Sequence, residues 1–165
     1  MQRPYNLFIC IGPMIIDLSK VPAGQGTGYP EPFKAAVTGR SKQCVGNVAG
    51  LTNFGINLTT LAPGAQSALR HWHSHQDEFI YMVSGELTLV TEAGETLLTP
   101  GMMAGFPAGV PDGHHLINHS SAIATYLEIG DRTPGNRAEY PDDDLLAQPK
   151  DGGGYCFTHR SGAPY

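Results

Sequence analysis

The sequence is short of charge. Only 15% of its 165 residues are Asp, Glu, Lys or Arg, and ten Lys and Arg stand against fifteen Asp and Glu, a net charge of −5. The basic residues are scattered. They form no patch or stripe of the kind a nucleic acid requires, and an anionic membrane surface is disfavoured for the same reason. Cysteine is scarce too. Cys10, Cys44 and Cys156 are odd in number and far apart, which fits reduced thiols in a cytoplasmic protein better than a disulfide framework. Long apolar runs are missing. Leu7–Ile16 is apolar but too short to span a bilayer, and no small-x-small cleavage pattern follows it. It reads as a buried strand or two. No stretch of twelve residues keeps a clean helical period.

What the sequence has instead is punctuation. Glycine and proline together number 21 + 13 = 34, a level that helical bundles do not tolerate and that many short strands with tight turns do. A chain of this length buries roughly 70% of its unfolded surface, enough for one core without staples. Residues 1–165 read as one domain, with an irregular arm over 1–50, an organised part over 51–130 and a polar tail over 131–165. In the organised part Phe54, Ile56 and Leu58 alternate with Gly55, Asn57 and Thr59, as in a half-buried strand. Glu78–Val83 is rich in strand formers. Glu86–Leu98 reads as two strands around a turn at Glu92-Ala93-Gly94. Many short strands at close spacing indicate a sandwich or barrel. In the tail, Tyr140–Leu146 (YPDDDLL) reads as a solvated helix start.

Seven histidines occur, and six lie between positions 71 and 119. In His71–Glu78 (HWHSHQDE), residues two apart share a strand face. His71 and His73 can therefore present both imidazoles to one point; His73 and His75 could do the same. Glu78 opens the next strand, and two imidazoles with one carboxylate are a normal ligand set for a divalent transition ion. Some forty residues on, a further ligand is available from Gly113–Asn118 (GHHLIN), where His114, Leu116 and Asn118 share one face and His115 and Ile117 the other. A lone HxH is more often a surface accident than a metal site. The carboxylate and the second group change those odds.

These two segments resemble the paired motifs of the cupin family. His71-x-His73, four residues, Glu78, six residues and Gly85 match the body of G-x5-HxH-x3,4-E-x6-G, with Gly64 one residue further upstream than the pattern places it. Gly101, five residues and Pro107-Ala108-Gly109 match the start of G-x5-PxG-x2-H-x3-N. The expected histidine position falls on Asp112, and His114-x3-Asn118 restores the pattern two residues later; His115 takes the place if the loop shifts by one. The resemblance is to single-domain bacterial cupins of the type called sugar-phosphate isomerases. It implies an all-β fold, a double-stranded β-helix or jelly-roll barrel, with irregular N- and C-terminal arms. It implies one divalent transition metal (Zn, Mn, Fe or Ni) on His71, His73, Glu78 and His114, with Asp77 or Asp112 to accept the imidazoles' other N–H.

The function expected from this is metal-dependent chemistry on a small polar carbonyl or sugar-type substrate, with His75 as the nearby candidate base. A non-haem iron dioxygenase and a non-catalytic binding or sensor module share the same ligand set. A small-molecule ligand is expected as partner, with neither nucleic acid nor membrane. The apolar patches Leu7–Ile11 and Met14–Ile16 are expected to extend a sheet, that of a neighbouring subunit included, in a homodimer.

Overall fold

Turn-forming residues cut the chain into short pieces, and most of these pieces pair as antiparallel strands. The computed structural model describes residues 14–150 and 154–165. Among them lie twelve strands: β1 (Arg40–Gln43), β2 (Phe54–Leu61), β3 (Trp72–His73), β4 (Glu78–Ser84), β5 (Leu87–Thr91), β6 (Gly94–Leu98), β7 (Met103–Phe106), β8 (His115–Ile117), β9 (Ala124–Asp131), β10 (Ala138–Tyr140), β11 (Leu145–Pro149) and β12 (Tyr155–Thr158). A four-residue helix, α1 (Val45–Val48), and two 3₁₀ turns complete the described elements. One sheet runs β1-β2-β9-β4-β7, a second β12-β11-β10-β3, a third β6-β5-β8. The protein is an all-β barrel of the double-stranded β-helix type. No helix of the described residues is long and apolar enough to cross a membrane.

The register of the five-stranded sheet builds the interior in tiers. Asn57 pairs Glu128, which pairs Ile80; Thr59 pairs Tyr126, which pairs Met82; Leu61 pairs Ala124. Successive inward residues therefore descend from Glu78 and Gly130 at one end to a closed apolar floor. Leu61, Met82, Leu87, Ala124 and Tyr126 make that floor and are essentially unexposed. A second cluster, with Tyr29, Val37, Tyr140 and Leu145, packs under the β10–β12 sheet.

Four sequence expectations change. In β2 the inward face is Asn57, Thr59 and Leu61, with Thr59 fully buried, while Phe54 is 50% exposed. The apolar-in rule fails here because this barrel's upper interior is polar. Met14–Ile16 joins no strand, and Ile15 is 91% exposed; Leu7–Ile11 and Cys10 lie outside the described residues. The 1–50 arm supplies an edge strand, since β1 pairs β2 from Arg40↔Leu61 to Gln43↔Leu58, and the 131–165 tail supplies three strands. Tyr140–Leu146 is the β10–β11 turn, not a helix start: Asp142 takes Arg70 in a two-bond fork at 2.7 Å and Asp144 accepts from the His159 ring at 2.8 Å.

Gly85 closes the β4–β5 turn with φ +73°, and a Cβ there would stand 2.7 Å from Ala124 Cα and from the Ile123 carbonyl oxygen. Both neighbours are backbone and cannot yield. Gly85→Ala is expected to cost about 2–4 kcal/mol, left-handed strain plus overpacking, read as a lowered urea midpoint.

Candidate metal centre

Strand pairing across the barrel carries four side chains to one place. His71 and His114 form an isolated antiparallel bridge, exchanging backbone hydrogen bonds of 3.2 and 2.9 Å. His73 ends β3 and Glu78 opens β4. Glu78 pairs across to Gly130, where a Cβ would lie 3.7 Å from its Cγ, so glycine leaves room for the carboxylate to fold inward. The Nε2 atoms of His114, His73 and His71 stand 3.0, 3.5 and 3.9 Å from Glu78 Oε2. Ligand atoms of His71, His73 and Glu78 all lie within 4.8 Å of one another. His114 is the more buried of its pair, at 7% exposure. The His115 ring turns instead to the Ala68 carbonyl at 3.1 Å.

Neighbouring groups fix the rings. His71 Nδ1–H donates to the Leu69 carbonyl at 2.8 Å, which leaves Nε2 bare toward the cluster. Tyr140 stacks on His71, with centroids 5.6 Å apart, and Phe106 on His114 at 3.6 Å. The Asn136 amide sits 2.8 Å from His73 Nδ1 and 2.8 Å from Gln76 Oε1, while its Oδ1 accepts from the His75 backbone N–H at 3.2 Å. With nitrogen toward the ring, the His73 proton lies on Nε2. Turning the amide over would let Oδ1 accept from Nδ1–H and bare Nε2, at the cost of the hydrogen bonds to Gln76 and from the His75 N–H. Asp77 and Asp112 do not serve the imidazoles as expected: Asp77 accepts from the Ala108 N–H and Asp112 from the Glu92 N–H, both at 2.8 Å.

The electrostatics suit a cation. Burial pushes the His71 pKa down to about 4, against the pull of Glu78, so this ring is neutral near pH 7. Burial works against the Glu78 charge, but the His114 hydrogen bond and the facing histidines outweigh it and hold the carboxyl well below its usual range. His114 Nδ1 is buried without a hydrogen-bond partner. An ionised carboxylate ringed by imidazole nitrogens is a donor set that fits a divalent transition ion.

The cluster forms part of the wall of a cavity of about 550 Å³. Arg40, Lys42, Asn57, Glu128 and Tyr155 also line it. Sequence reasoning did not select these residues. Glu128 was reachable, because it shares strand parity with Tyr126 in a strand the sequence shows. Lys42 and Asn136 were not, because the arm and tail carry no periodicity. His75 does not line this cavity; it is exposed, and its Nδ1 meets Ser74 Oγ at 2.7 Å. Strand β3 ends at His73, so parity no longer governs His75. Phe106 also lines the cavity, whereas Met82 is core and Met103 is 57% exposed.

Comparison with known proteins agrees with this fold. The Cupin domain model matches residues 57–130. A structure described as a sugar phosphate isomerase of the cupin superfamily, from Silicibacter pomeroyi, is 42% identical over 92% of this chain and 96% of its own, with a TM-score of 0.88. The chain belongs to the cupin superfamily. Two further cupin-like folds are more distant. A protein from Acidithiobacillus ferrooxidans, assigned provisionally to the sugar phosphate isomerases, is 24% identical over 86% of this chain and 89% of its own, TM-score 0.71. The polyketide cyclase RemF from Streptomyces resistomycificus is 16% identical over 74% and 82%, TM-score 0.61. At these identities the likeness is one of fold. No curated protein matches the sequence.

Two outcomes test this cupin's cluster. Asn136→Leu, which removes the polar partner of His73 Nδ1, is expected to weaken zinc binding about 10–100-fold, and Asn136→Asp, which offers Nδ1–H an acceptor, to restore it, measured by competition with a chromophoric chelator. Chelator-treated protein is expected to lose stability as pH falls from 6.5 to about 4, because the unfolded chain protonates His71 and the folded chain does not. The loss from this group is up to about 3 kcal/mol, and Glu78 adds its own below about 4.5. His71→Gln should flatten the upper window in urea titrations.

Proposed function

We propose that this cupin is a divalent-metal-dependent enzyme acting on a small polar carbonyl or sugar-type compound, in the manner of a sugar-phosphate isomerase. The observation that carries the reading is the convergence of His71, His73, Glu78 and His114 in the wall of an open cavity large enough for such a compound. The description of the Silicibacter pomeroyi structure supports the reaction class. In this proposal those four residues hold the ion. When bound, it supplies Lewis-acid stabilisation to an oxygen on which negative charge develops.

The chain's own residues do the rest. The Leu69 carbonyl and Asn136 hold two of the rings in place, and Tyr140 and Phe106 wall the cluster with aromatic faces. Water is thereby kept from the imidazoles on those sides, and the fixed dipoles act in a low-dielectric setting. Arg40 and Arg132 also line the cavity, so cationic side chains invisible as a cluster in the sequence are available to an anionic substituent. His75 faces solvent outside the cavity lining and is not placed to act as the base.

Metal content per chain separates ligand from bystander. His71→Ala, His73→Ala and His114→Ala are each expected to purify with metal reduced at least about tenfold, since the three remaining ligands hold a divalent ion less well. His75→Ala and His115→Ala are expected to keep it. Loss in the latter two with retention in the former would mean the ligand set is misassigned. The reaction class is checked separately. Metal-loaded protein should exchange the carbon-bound proton beside the carbonyl of aldose and ketose phosphates with deuterated water; no exchange across pentose and hexose phosphates would refute an isomerase.

A further inference from the structure

Below the metal cluster, the next interior tier holds two opposite charges that the proposed chemistry does not use. Lys42 Nζ stands 2.7 and 3.0 Å from the two Glu128 oxygens, Asn57 Nδ2 donates to Oε1 at 3.0 Å, and Tyr126 O–H reaches Oε2 at 3.4 Å. Asn57 pairs directly with Glu128, and Lys42 pairs with Thr59, two residues along β2. All three side chains face the cavity.

A purely structural role explains this poorly. A buried ion pair is commonly matched or bettered in stability by apolar residues of the same shape, and the tier beneath carries no charge, its polar atoms being the Thr59 and Tyr126 hydroxyls. Nor is the pair sealed: the Lys42 and Glu128 side chains remain 29% and 21% exposed, toward the cavity. Among the described residues Asn57 Oδ1 accepts no hydrogen bond, and Lys42 gives its hydrogens to Glu128 alone, leaving one of three ammonium donors to spare. Glu128 Oε2 has only a long contact from Tyr126 beside that from Lys42. A donor and two acceptors thus stand together on a pair whose charges cancel. Neighbouring hydroxyls, each both donor and acceptor, match that set. An anion does not, because Lys42 is already neutralised.

We infer that Lys42, Glu128 and Asn57 form a second binding pole, which takes adjacent hydroxyls of a polyhydroxylated ligand whose other end meets the metal cluster. Glu128 lies diagonally from Glu78 across the β4–β9 pairing, a separation of about 7–8 Å between backbones and comparable to the span of an open pentose or hexose chain. The inference rests on the sugar-type reading above and orients the ligand within it: carbonyl end at the histidines, hydroxyls toward the floor.

The test uses D-sorbitol, a polyol without carbonyl or phosphate, observed by saturation-transfer NMR with the full zinc-loaded chain, and zinc content measured on the same samples. Wild type is expected to bind sorbitol at millimolar concentration. Lys42→Met and Glu128→Gln should each weaken it about tenfold or more, since each strands a partner, with zinc retained. The double variant Lys42→Met, Glu128→Leu guards against misfolding of the single ones. It should melt at or above the wild-type temperature and still lose sorbitol. Zinc bound without sorbitol, unchanged sorbitol affinity in the variants, or displacement of sorbitol by equimolar inorganic phosphate would each overturn the pole while leaving the metal reading intact. Sorbitol bound by wild type and lost in the variants, with no zinc held, would support the pole and overturn the metal reading.

Discussion

Everything in the site depends on Glu78 being able to turn its charge inward. A carboxylate inside a barrel is costly unless it is paired. Here the partners are brought by three separate chain segments: the stretch ending in β3, the bridge at His114, and β9 with its space at Gly130. Remove any one and the carboxylate keeps its desolvation cost with fewer groups to offset it. The cluster is for that reason a product of the whole barrel, although three of its residues lie within eight positions of one another.

The same parity argument that reads the motif also explains where sequence reading stops. Period-two alternation puts His71 with His73, or His73 with His75, on one face; the choice of His71, His73, Glu78 and His114 comes from the resemblance to the cupin motifs, whose turn glycines Gly85 and Gly109 both have positive φ. Alternation says which residues share a face, but it does not say which face is inside. For β2 Phe54, Ile56 and Leu58 lie on the face opposite Asn57, Thr59 and Leu61, which point inward, so the usual assignment of the more apolar face to the core inverts. The reason is physical: the upper tiers of this barrel bound a polar cavity, and only the lower ones are core.

The arms were illegible for a different reason. Arg40 and Lys42 acquire their positions by pairing with β2, and Asn136 and Tyr140 by pairing near β3. None of these contacts is local, and the segments themselves are Gly- and Pro-punctuated with no period to read. Yet they supply the groups that orient His71 and His73 and that line the floor of the cavity. A short motif can announce ligands. It cannot announce the residues that hold those ligands still, since many side-chain types on many segments can do that.

The interior as a whole has a charge logic. Arg40, Lys42 and Arg132 line the cavity together with Glu78, Glu128 and Asp131, three cations and three carboxylates, so the formal charges of the lining sum to zero. A bound dication would leave the cavity positive by its own charge. An anionic ligand would then be drawn in only with the ion, while the neutral Lys42–Glu128 pair would add direction without adding attraction. Under the proposed binding mode, affinity and orientation would be carried by different tiers of the same barrel, the histidine end for charge and the Lys42–Glu128 tier for hydroxyl geometry. In that mode, substitutions in the Lys42–Glu128 tier would alter the hydroxyl contacts and leave the four residues of the histidine cluster in place.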